Sequence, residues 1–370
     1  MRFLFFLAVS TFLYLPAFGE LAFRKFTTAN PDYLQKVSEA EIINMPRITS
    51  QDGLGICYAH VAATMMQAEN CRYLKKNCAQ LPESELFSPL DLSRIHRPED
   101  GGEISTSRSS YQGLYIEGGD AHDVAIIGAL ATRKSANEEC LSLDRILSKM
   151  NTRGETVESQ TQLWSRLKQQ YDQAKKDAKA QSGCDECVNN VYTTAAEKNI
   201  SEVEKNLNIK VDNVKLAKAF ANETFSKFLD DLLGASACRK PSQMVYFENA
   251  DNLKYDRYPS EGQNPSLDDM AKKVKEVLGT GRPVALANIC LGNEDAKSCK
   301  PEHLHAVVIA GYREICKKNN PKDCRHAFKV VNSWGKSWQD EFEGGWVDAK
   351  TLIAHTKVEP NVFGWFADKK

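Results

Sequence analysis

Apolar positions follow two regimes along the 370-residue chain. Through about residue 240 they recur at helical spacing. The run 59–66 after Cys57 is rich in strong helix formers, and Gly53 and Gly55 break the chain just before it. Ser88 and Pro89 read as the N-cap and first position of another short helix, and an alanine- and isoleucine-rich helix is predicted over 121–131. Val157, Leu163, Trp164, Leu167 and Tyr171 mark a helical face, and so do Phe220, Phe225, Phe228 and Leu232 in the stretch 201–233. Together they predict a helical hairpin with its tip near 183–187. Beyond 240 the pattern becomes strand-like at 245–247, 283–289, 306–310 and 327–331, with one amphipathic helix over 267–278 opened by Ser266. Gly344-Gly345 and Pro360-Asn361 signal turns between the last extended segments. Helices first and strands last predict an α+β fold with the two kinds of element segregated.

This pattern divides the chain into a helical region over 51–139, a helical insertion over 140–240 and a β-rich region over 241–370. The segment 20–50 shows no long periodic element. The Gly-, Ser- and charge-rich stretch 97–110 reads as an exposed loop. At the N-terminus Arg2 precedes an uncharged apolar run over 3–18, and Ala17 and Gly19 are spaced like the small residues of a cleavage site. A signal peptide over 1–19 is the reading; an uncleaved anchor would ordinarily need about 20 apolar residues. A secreted, periplasmic or extracellular destination follows.

Export gives the 11 cysteines a meaning, since disulfides persist outside the cytosol. The odd number leaves at least one unpaired. With Cys57 set aside, proximity suggests Cys71 with Cys78, Cys184 with Cys187, Cys290 with Cys299 and Cys316 with Cys324, leaving Cys140 and Cys238 to bridge the base of the insertion. The spacing of Cys184 and Cys187 also occurs in redox and zinc sites, but no βαβ pattern and no further ligands accompany it. A formal net charge of -1 and a pI near 6.7 give no reason to expect nucleic acid or stable membrane association once the signal is removed.

Cys57 stands where a helix begins, and a helix N-terminus favours thiolate over thiol; a buried structural cysteine is the alternative. A nucleophile needs a base. Of the seven histidines, His305 opens the apolar strand 306–310, and Asn332 ends the next strand in Asn332-Ser333-Trp334-Gly335-Lys336-Ser337-Trp338. Its amide could orient an imidazole while two indoles exclude water. His303 is a rival to His305.

In this order, these residues resemble those of the papain-like (C1) cysteine peptidases. The resemblance spans Gln51 to Trp338 and implies a two-lobed fold, with the insertion as a lid, docking arm or stabilising decoration. It assigns Gln51 to the oxyanion hole, Cys57 as nucleophile, His305 as general base, Asn332 as the orienting residue and Trp334 and Trp338 as the shielding aromatic pair beside the substrate. Gly118 and Gly119 match the strand that binds peptide backbone. Tyr58 replaces the usual tryptophan, His60 stands where an aromatic is common and reads as a packed helix residue, and Leu54 and Ile116 replace the two halves of one disulfide, predicting a contact between them. The implied activity is hydrolysis of a protein or peptide substrate without a metal or cofactor. Acyl transfer by the same thioester and a non-catalytic binding scaffold are the alternatives. The segment 20–50 is too short for the family's long prodomain, leaving control to the insertion or to a separate protein inhibitor.

Overall fold

The computed structural model describes residues 22–26, 35–51, 55–95, 119–146, 157–207 and 209–369. The apolar run at 3–18, the loop at 97–110, Leu54, Ile116 and Gly118 lie outside the described residues.

The α+β segregation holds. Helices α1 (Cys57–Leu74), α2 (Pro89–Leu92) and α3 (Ala121–Ile126) come first. The insertion carries α4 (Val157–Ala180), α5 (Asp185–Asn206), α6 (Asn213–Ala221), α7 (Phe225–Leu233) and the short α8 (Ala235–Cys238); α9 (Leu267–Leu278), α10 (Gly335–Glu341) and α11 (Ala349–Ala354) lie among the later strands. A seven-stranded antiparallel sheet runs β4 (Leu253–Tyr258), β9 (Phe363–Asp368), β5 (Val284–Cys290), β6 (Leu304–Lys317), β7 (Asn320–Val331), β8 (Trp346–Asp348), and β1 (Gln35–Glu41) joins it through β6. β2 (Lys134–Ala136) and β3 (Met244–Tyr246) make a separate pair.

Strands β5 and β6 are apolar on both faces because each face has its own core. Ala285, Ala287, Ala306 and Val308 pack with α1 and the insertion, while Val284, Leu286, Val307 and Ile309 pack with α9 and α11. β6 is long enough to serve two neighbours on one edge: its first half pairs with β5 and its second half with β1. Thus 20–50 is not featureless. Lys25 and Phe26 bond alongside β8, and β1 is a sheet strand whose polar residues conceal it in the sequence.

The stretch 140–240, expected to be an insertion, holds more than a hairpin. α4 and α5 form the expected antiparallel pair, but 201–233 holds the end of α5 followed by α6 and α7, because Asp212 and Thr224 each cap a new helix by accepting from Lys215 N and Lys227 N. Tyr171, Phe220, Phe225 and Phe228 cluster between these helices, in the same apolar core as α1. Arg239 ties the base of the insertion to α2 by bridging Asp230 and the buried Asp91. The five disulfides are Cys71–Cys78, Cys140–Cys238, Cys184–Cys187, Cys290–Cys299 and Cys316–Cys324. Cys57 alone is free.

Candidate active site

α1 is buried along most of its length, over Cys57 to Ala63 and Met65 to Cys71, including its polar residues His60, Gln67, Glu69 and Asn70. No side chain caps its N-terminus, where Ile56 is the N-cap. The Ala306 backbone N–H, which belongs to the residue after His305, favours the thiolate of Cys57. His305 is the second residue of β6, and its Nε2 bonds Asn332 Oδ1 at 2.9 Å. Asn332 follows directly on β7, which pairs with β6, so the sheet register places the imidazole and the amide side by side. With Oδ1 accepting, Nε2 carries the proton and Nδ1 has the lone pair.

The residues after Asn332 hold the other half of the site. Gln51 N donates to Ser333 O at 2.8 Å, Ser333 Oγ donates to Gln51 Oε1, and Ser50 forms a β-bridge with Trp334. Trp334 stacks on His305 with centroids 4.8 Å apart, and Phe23 meets His305, Trp334 and Trp338 edge-on. Trp338 stacks on Phe342 at 4.4 Å. Gly119 lies against Tyr58: a Cβ there would fall 2.8 Å from the ring, which is fully buried and anchored by its hydroxyl donating to Ser93 O at 2.7 Å. Gly119→Ala is therefore expected to destabilise the protein by about 1–3 kcal/mol, read as a lower urea midpoint with an unchanged slope.

Burial dominates the electrostatics. It pushes the Cys57 thiol up to about 11, against the backbone N–H groups of Ala306, Tyr58 and Cys57, which favour thiolate. It drives His305 down to about 4, against the Asn332 bond that favours the charged form. A helix N-terminus favours thiolate, and the family resemblance implies a thiolate and imidazolium pair; burial works against both and favours the neutral thiol and the neutral imidazole.

His305 thus contacts Asn332 and Trp334, Trp334 contacts Trp338, Gln51 is tied to Ser333, and Cys57 lies beside the backbone of Ala306; Gly119 is placed only against Tyr58. His303 bonds Glu294 through Nδ1 at 2.9 Å. The sequence reading missed three participants: Ser333, which orients Gln51; Phe23, which covers the indoles; and Thr49, whose Oγ1 lies 2.8 Å from His60 Nδ1. Ser333 lies within the motif read for its asparagine and tryptophans. The other two carry no signal of their own.

No family model matches the chain, and no curated protein sequence does. Solved structures similar to it include SERA5E of Plasmodium falciparum, at 13% identity over 87% of this chain and 88% of that one, with a TM-score of 0.38. Another is xylellain, a cysteine protease of Xylella fastidiosa, at 15% identity over 94% of this chain and 92% of that one, with a TM-score of 0.41.

Proposed function

We propose that the chain is an exported papain-like cysteine peptidase. The observation that carries this reading is a free cysteine at the start of a buried helix, beside the backbone N–H of Ala306, the residue that follows His305, whose Nε2 is engaged by the Asn332 carbonyl oxygen. His305 is neutral, so it serves as the base: Nδ1 takes the thiol proton as Cys57 Sγ attacks the peptide carbonyl carbon. Negative charge collects on the carbonyl oxygen, where the Cys57 backbone N–H and Gln51 Nε2 would donate to it. Ser333 supports the second role, because its hydroxyl donates to Gln51 Oε1 and so fixes the orientation of the amide. The C–N bond then breaks with His305 returning its proton to the amine, and water, deprotonated by the same imidazole, hydrolyses the thioester. Gly118 and Gly119 would bind substrate backbone, and Trp334 and Trp338 would wall the site.

Export is supported by the apolar N-terminal run and by five disulfides. No helix among the described residues is long and apolar enough to cross a membrane.

The test is a peptide library incubated with the protein, with and without an added amine and an epoxide thiol inhibitor. Hydrolysis that stops when Cys57 is alkylated is the expected result. Products formed only with the amine would indicate acyl transfer, and failure to label Cys57 would leave a scaffold without chemistry. Gln51→Ala is expected to lower kcat by about 10²- to 10³-fold with the thermal midpoint preserved, as for loss of one oxyanion donor.

A further inference from the structure

His60, one turn along α1 from Cys57, is buried and half explained. Its Nδ1 is 2.8 Å from Thr49 Oγ1, while its Nε2 is buried with no protein partner. Asn332 has the matching deficit: Oδ1 is engaged by His305, and Nδ2 is buried with no partner. Both residues line one cavity of about 10 Å³, together with Thr49, Thr64, Ala306 and Ser333. That is the space one water needs, and a water is stable in a buried cavity when two or more polar groups face it. Burial, and then the nearness of His305, drive His60 down to about 3, so its imidazole stays neutral and can accept a hydrogen bond across the working range.

We propose that His60 is a positioning residue for the Cys57 and His305 pair: through one buried water, its Nε2 secures the Asn332 amide that holds His305. The water accepts from Asn332 Nδ2–H and donates to His60 Nε2, whose Nδ1–H donates to Thr49. Without this link Nδ2 is a buried donor with no partner. Such a deficit typically costs about 1–3 kcal/mol and favours side-chain positions in which the amide leaves the imidazole. The inference rests on the proposed peptidase reading for its kinetic consequence but not for its geometry.

The experiment compares wild type, His60→Phe and His60→Gln. Phenylalanine keeps the ring and loses the polar tip; glutamine keeps a polar group near the place of Nε2. For His60→Phe we expect kcat to fall roughly 5- to 30-fold at unchanged KM, and the His305 Nε2–H proton resonance, slow to exchange in wild type, to broaden or vanish. His60→Gln should restore both. Wild-type kcat and an intact resonance in His60→Phe would overturn the proposal. Equal losses in both variants with a lowered thermal midpoint would also overturn it, since that is the behaviour of a packing residue. Should wild type hydrolyse no peptide, the peptidase reading fails while the proton resonance still decides the role of His60.

Discussion

His305→Ala is expected to lower kcat/KM for peptide hydrolysis by about 10²- to 10⁴-fold, and Cys57→Ala to abolish all turnover that an epoxide can block. The histidine effect is large because both proton transfers pass through one imidazole, while His60 engages Thr49 through Nδ1 and His303 is paired with Glu294. His303→Ala should retain wild-type activity. Because burial holds His305 at about 4 and the base must be neutral, activity should be present above that value and decline as pH falls through it. Burial likewise keeps Cys57 as a thiol up to about 11, so the thiolate ultraviolet band should be missing from the difference between wild type and Cys57→Ser at pH 7. A strong band at neutral pH would show that the resting site is already an ion pair. Activity that survives in His305→Ala but not in His303→Ala would move the base to the other histidine.

Legibility in the sequence followed local physics. The helix Leu267–Leu278 was readable to its ends because Ser266 and Asp269 form a reciprocal capping box and its apolar positions keep one face. The centres of β5, β6 and β7 were readable as apolar runs, but β6 and β7 extend well past those runs into polar residues such as Arg313, Glu314 and Arg325. There the ladder continues because the two extensions pair with each other and β1 pairs with that of β6, a tertiary cause that no local pattern records. The break between α5 and α6 was signalled by Asp212 as a cap and was obscured by the apolar Leu207 and Val211, both of which are buried. At the candidate site, residue types and their places in the predicted elements singled out Cys57, His305 and Asn332, and the family resemblance added Gln51. The protonation state was not readable, because a helix N-terminus is visible in a sequence and the burial opposing it is not. The roles of Ser333, Thr49 and His60 depend on which atoms face one another, which only the fold decides.

The largest stability effect is expected at Glu69, on the helix that begins with Cys57. Its carboxylate is almost fully buried and accepts from Arg72 at 2.6 Å, from Arg282 at 3.1 Å and from Asn249 at 3.1 Å. Arg282, also buried, reaches on to Asp368 at 2.6 Å, so this one group fastens α1 to the start of β5 and the end of β9. Glu69→Leu removes the anion and leaves the Arg282 guanidinium buried with only the exposed Asp368 opposite it, a change that typically costs about 3–5 kcal/mol. Glu69→Leu combined with Arg282→Met should cost less than the sum of the two single changes, because the double variant buries no unmatched charge. Burial by itself would push the Glu69 carboxyl up, but its bonds to Arg72 and Arg282 and their charges outweigh this and hold it below its ordinary 4.5. A carboxyl depressed on folding contributes stability that is complete above its unfolded value and is lost as pH falls through its folded value. The gap in unfolding free energy between wild type and Glu69→Leu should therefore be widest near neutrality and narrow below about pH 4.5. Urea unfolding of both proteins across that range measures it, and a gap that does not change with pH would assign the loss to packing instead of charge.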